Sequence, residues 1–422
     1  MGERHLRGGA RADLLTRDEA SARAGRVGRV ACALEIDLEG GRTAYHGRAR
    51  LRFPVAGEGD LFLDFRGGTI ERLAVNGREV TPERPGHRIL LPGSLLAATT
   101  EVEVAYENEY DRGGDGFHHF VDPEDGAEYV YSNFEPFEAH RLFPCFDQPD
   151  VKGTYAVTVR APADWTVIAN GPASASLPVA DGRREHRFAT TPPISTYLVA
   201  VLAGPYTGVS SMHRGTPLGI WTRRSLARHL DPDEIFTVTK QGLDFYAALF
   251  DHPFPFAKYD QVFVPEFNSG AMENVGAVTF SESYVFRDPP TNTQRLARAE
   301  TILHELAHMW FGDLATMRWW DDLWLNESFA TYVSNLALVE ATRFEGAWRA
   351  FHADMKRWGY QADARSTTHP ISGPVPDTDA TFYNFDGITY GKGAAVIKQL
   401  VAEVGQVGFR AGLRTYFRRH AW

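Results

Sequence analysis

Hydrophobic and polar positions divide the chain into two stretches of different period. From about Arg29 to Thr222, short runs alternate β-branched or aromatic residues with polar ones and are punctuated by Gly, Pro, Asn and Asp. That alternation predicts strands with one buried face, among them residues 33–38, 51–53, 61–65, 101–106, 154–160 and 196–203. Beyond a turn-rich stretch at 204–217 the period lengthens to that of helices, predicted near residues 233–250, 292–311, 323–340, 344–360 and 387–404. Residues 261–264 and 275–280 keep the strand pattern. The expected fold is multidomain, α and β: an N-terminal extension (1–28), an all-β domain (29–205) and an α+β domain (206–422). Residues 408–422 read as a helix without a C-terminal cap, the pattern of a chain cut short.

Composition narrows the function classes. The chain has 422 residues, more than one hydrophobic core usually organises. With 43% hydrophobic and 23% charged residues it resembles a folded protein rather than a disordered one. A net charge of −10 offers no basic surface for nucleic acid or anionic membrane, so neither is an expected partner. The two cysteines, Cys32 and Cys145, cannot make a disulfide framework and point to a reducing, cytoplasmic setting. No segment has the apolar length of an export signal or a membrane span.

The chemistry gathers in the second stretch. His304-Glu305-Leu-Ala-His308 lies within a helical pattern, so the two histidines project from one face about a turn apart. That spacing suits two imidazole nitrogens about 2 Å from one Zn²⁺, with Glu305 beside the open coordination position. The following helix supplies Glu327, with 18 residues between it and His308, and a third hard donor is what a catalytic His₂Glu site needs. Asp313 and Asn326 are both candidates to accept the far N–H of a ligating imidazole. Gly270 and Ala271 are small enough for another backbone to approach as an added strand.

His-Glu-x-x-His, 18 residues and Glu, together with Gly270-Ala271-Met272-Glu273-Asn274 upstream, resemble the aminopeptidase N family of zinc metallopeptidases (gluzincins), bacterial type. The resemblance begins near Leu14 and includes residues 319–328 and 385–394. It implies a saddle-like β domain before a thermolysin-like catalytic domain, and one zinc ion held by His304, His308 and Glu327. Glu305 would be general base and proton shuttle, and Tyr390 would hydrogen-bond the oxyanion. The substrates would be peptides with a free N-terminus, their α-ammonium bound by Glu273 with help from Glu135, in the segment 132–147. Glu138 is the alternative should that alignment slip. Met272 and Asn274 enter the substrate site as members of the same motif.

The chain also departs from the family. Ser269 stands where some members have Met, and Ser328 follows the metal glutamate where Gly is common. Typical members continue into a β-sandwich and a helical C-terminal domain, so these are expected to be missing and the site more open. Two alternatives compete with the peptidase reading: an epoxide-hydrolase-type relative sharing the metal site, and a non-catalytic scaffold. Retention of donors, base, tyrosine and ammonium anchor together argues against the scaffold.

Overall fold

A computed structural model describes residues 13–422, which form two compact units. The first comprises residues 13–207 with 223–225 and 264–268; the second comprises 208–222, 226–263 and 269–422.

In the first unit an eight-stranded sheet runs in the order Ala173–Pro178, Arg183–Phe188, Gly153–Pro162, Val30–Asp37, Ala44–Pro54, Thr99–Glu109, Thr69–Val75, Arg78–Glu79. A four-stranded sheet, Thr166–Ala169, Val201–Gly204, Glu128–Asn133 and Gly116–Val121, accompanies it. The alternation read from the sequence is explicit in Ala44–Pro54, where Tyr45, Ala49, Leu51 and Phe53 are buried while His46, Arg48, Arg50 and Arg52 face water. Residues 196–203, read as one strand, are instead a short 3₁₀ turn (Thr196–Leu198) followed by Val201–Gly204.

Residues 13–28, read as an extension, belong structurally to this unit. Helix α1 (Arg17–Ala24) starts with a capping box between Thr16 and Glu19. Its Arg23 is buried, pairs with Asp64 at 2.7 Å and lies over the Phe62 ring. Nearby, the His140 ring bonds Asp147 at 2.8 Å through one nitrogen and Asp13 at 3.1 Å through the other.

The second unit joins a five-stranded sheet to helices. Its strand order is Tyr206–His213, Thr216–Arg223, Tyr259–Val264, Ala277–Ser281, Ala271–Met272. The stretch 204–217 is thus mostly strand: its Gly, Ser and Pro residues suggest turns, but sheet pairing overrides them. The helices are α2 (Pro232–Phe250), α3 (Asn292–His308), α4 (Leu323–Ala341), α5 (Ala347–Ala353), α6 (Met355–Asp363), α7 (Thr378–Phe382) and α8 (Gly393–His420). The helix expected at 344–360 is two, broken at Asp354, and α8 is interrupted at Gly405, whose φ of 76° glycine adopts freely.

Two of these helices set the position of the motif. Thr291 caps α3 in a capping box with Gln294. Buried Arg298 of α3 reaches Asp231 at 2.7 Å and Glu234 at 2.6 Å beside the start of α2, and Tyr246 of α2 donates to the Leu303 carbonyl at 2.8 Å. Leu303, Leu306 and Ile302 on the same helix are fully buried. The register of α3 is thereby fixed by groups on both ends of its buried face. Among the described residues, no helix is long and apolar enough to cross a membrane.

Candidate metal centre

Helix α3 ends at His308, so His304 and His308 stand on its last turns, with ring centroids 4.6 Å apart. Glu327, on the first turns of α4, turns its Oε2 toward both: 3.1 Å from Nε2 of His304 and 3.5 Å from Nε2 of His308. All three residues are buried, and their donor atoms lie within 4.8 Å of one another.

The imidazole tautomer of His308 follows from its partners. Its Nδ1 lies 2.5 Å from the Asn326 side-chain oxygen and 3.1 Å from the Phe311 carbonyl, both acceptors, so in the neutral ring Nδ1 carries the proton and Nε2 is the nitrogen left to bind a metal. Of the two candidates for this task, Asn326 is the one bonded to His308. Gly312 makes the approach possible: its φ is 102°, and a Cβ there would overlap the Asn326 side-chain oxygen. His304 has Thr331 Oγ1 at 3.4 Å from its Nδ1.

Carboxylates crowd this donor set. Asn326 donates its Nδ2 to Glu273 Oε1 at 3.0 Å, and Glu273, Glu305 and His308 form a second buried cluster sharing the same histidine. Burial pushes the Glu305 carboxyl well above its usual range; His308 opposes this, and Glu273 and Glu327 reinforce it. Burial also works against ionised Glu327, but His308 and His304 outweigh it and hold that carboxyl near 2. In His308, burial favours the neutral ring, whereas Glu273 and Glu327 pull its pKa well above normal.

These residues fit a metal ion. At metal–donor distances of about 2 Å, tetrahedral neighbours stand about 3.3 Å apart, a value bracketed by the two Glu327 contacts. The Oε2 of Glu305 is buried without a hydrogen-bond partner, and the three carboxyl groups crowded around two imidazoles form a set of donors that a bound cation would satisfy.

The other expected residues fall in two groups. Ala271–Met272 is the edge strand of the five-stranded sheet, paired on one side only, with Gly270 exposed just before it. Met272 and Glu273 are buried. Asn274 is fully buried, its side-chain N–H donating to the Thr279 hydroxyl and its backbone carbonyl accepting from Ala277 N–H. Tyr390 lies in a single π turn, Ile388–Lys392, its ring stacked with those of His304 and Trp358 at centroid distances of 6.0 and 5.8 Å. Glu135 belongs to the first unit, half-buried just after Glu128–Asn133. Glu138 nearby forms an ion pair with Arg141; burial lifts its carboxyl to about 7 despite that partner.

Two histidines from the last turns of one helix and a glutamate from the next thus come together beside an edge strand. Two family descriptions match the chain: "Peptidase M1 N-terminal domain" over residues 62–198 and "Peptidase family M1 domain" over residues 235–422. The chain belongs to peptidase family M1. It is 46% identical to aminopeptidase N of Streptomyces lividans over 97% of its own length and 48% of that protein. It is 32% identical to probable aminopeptidase 1 of Saccharolobus solfataricus over 90% and 48% of the two chains, and 35% identical to human aminopeptidase N over 79% and 36%. The chain therefore spans about half the length, or less, of the curated relatives it matches.

Proposed function

We propose that the chain is a zinc-dependent aminopeptidase that hydrolyses the first peptide bond of peptides bearing a free N-terminus. The observation that carries this reading is the carboxamide of Asn326, which holds the His308 ring with one atom and Glu273 with the other. A carboxylate tied at a fixed distance from the donor set suits a substrate ammonium, so that only the bond next to the N-terminus reaches the reacting position. Aminopeptidase names on the similar proteins support the same activity.

His304, His308 and Glu327 would hold the ion, and a His₂Glu set is chemically suited to zinc. When bound, zinc lowers the pKa of a coordinated water toward 7 and polarises the scissile carbonyl. Glu305, buried and with an unsatisfied oxygen, accepts the proton of the attacking water and passes it to the leaving amine. The Tyr390 phenol donates a hydrogen bond to the oxyanion that develops on the carbonyl, without adding a fixed charge. The open side of the Ala271–Met272 strand gives the substrate backbone an edge to pair with. Two buried free thiols, Cys32 and Cys145, support a reducing cytoplasmic setting.

The test compares zinc-loaded protein with Glu305→Gln on aminoacyl fluorogenic substrates and their N-acetylated counterparts. The free-amine substrates should be cleaved preferentially, and the variant should keep its zinc while losing roughly 10²- to 10⁴-fold in kcat. Near-normal turnover by Glu305→Gln would remove the general-base assignment.

A further inference from the structure

We infer that Ser328 is a positioning residue for Tyr390, an inference that rests on the reading of Tyr390 as oxyanion donor. Ser328 follows Glu327 directly on α4, and its hydroxyl donates to the Thr389 carbonyl at 2.5 Å. Thr389 is the residue before Tyr390 in the π turn Ile388–Lys392. Ser328 and Thr389 are both buried, so no water competes for this bond. One side chain thus ties the helix that presents Glu327 to the backbone that presents the phenol.

The rest of the π turn is seated without slack. Its N–H of Lys392 returns to the Gly387 carbonyl at 2.9 Å, the wide spacing that defines such a turn. A Cβ at Gly387 or Gly391 would overlap the backbone of α6 at Trp358 or Met355, so α6 presses directly on one face of the turn. On another side, a Cβ at Gly393 would overlap the Ser328 hydroxyl. The Tyr390 ring, stacked with both Trp358 and His304, takes its orientation from a backbone held by α6 and by Ser328. A residue without a hydroxyl at 328 leaves the Thr389 carbonyl without this donor and frees the turn to shift relative to the metal donors.

The experiment replaces Ser328 by Ala and by Gly, and Gly393 by Ala, in the full chain loaded with zinc. Tyrosines are replaced biosynthetically by 3-fluorotyrosine, and the resonance of residue 390 is assigned through Tyr390→Phe. Ser328→Ala and Ser328→Gly should shift or broaden that resonance, keep the zinc and the KM, and lower kcat roughly five-fold, the worth of one hydrogen bond. Gly393→Ala, which displaces the hydroxyl from the other side, should give the same signature. In a Tyr390→Phe background, Ser328→Ala should change kcat by less than about two-fold, because the group it positions is gone. An unmoved resonance, or a kcat loss that persists undiminished in the Tyr390→Phe background, overturns the inference. Should Tyr390→Phe itself keep full kcat, the oxyanion role fails, and the fluorine resonance still decides whether Ser328 sets the tyrosine.

Discussion

Asn326 and Glu273, 53 residues apart in sequence, share a buried hydrogen bond of 3.0 Å, and the same carboxamide accepts from His308. Replacing Asn326 by Asp keeps an acceptor for His308 but removes the donor to Glu273. Zinc should therefore be retained while KM for free-amine substrates rises. Asn326→Ala removes both contacts and should also weaken zinc binding, by roughly ten-fold or more. Chelator competition and KM measured side by side separate the two effects; an Asp variant with unchanged KM would mean the Glu273 contact serves only the fold.

His308→Ala should strip the metal. Removing one of three donors from a buried site leaves two that cannot hold the ion against dialysis. Metal analysis of the purified variant gives the answer directly, and full occupancy would take His308 out of the donor set.

Glu273→Ala should cost far more on free-amine substrates than on N-acetylated ones, because only the former present a cation to the carboxylate. The ratio of kcat/KM between the two substrate types is the quantity to follow. Equal losses on both would leave Glu273 as a bracing residue without a part in recognition.

Stability should fall on both sides of a pH plateau set in the first unit. Burial alone would lower the His140 pKa, but its bonds to Asp13 and Asp147 outweigh burial and raise it from 6.5 to about 10. A folded value above the unfolded one means this stabilisation is complete below 6.5 and is lost as pH rises toward 10. Asp13 moves oppositely: burial raises its pKa, and His140 more than compensates, bringing it from 3.8 to about 2. Its share is present above 3.8 and is lost as pH falls toward 2. The two shifts record one contact and are not additive. Urea midpoints should therefore be highest between about pH 4 and about 6.5, and His140→Gln should flatten the alkaline decline. An identical alkaline slope in that variant would assign the decline to other groups.

Much of this site could be read from residue order, because its parts are local. His304 and His308 share a helix whose period is visible, and Glu327 follows at a spacing the next helix supplies. What stayed hidden depends on pairing between distant segments. Nothing in the order of residues selects Asn326 over Asp313 for His308; the choice is made by Gly312, which lets the Asn326 carboxamide come close. Tyr390 lies in a π turn seated on α6 by Gly387 and Gly391, and no periodicity announces such a turn. The break at Asp354 has neither Pro nor Gly to mark it. Strand Tyr206–His213 is hidden for a different reason: Tyr206 is its one buried residue, so the usual alternation is absent.

The donor atoms of His304 and Glu327 lie only 23 residues apart along the chain, so closing the loop between them costs little entropy. During synthesis, Glu273 leaves the ribosome first, then the three donors with Asn326, and Tyr390 last. A polypeptide halted between Glu327 and Tyr390 holds the three proposed metal donors and the carboxylate proposed for the substrate ammonium, yet lacks the phenol.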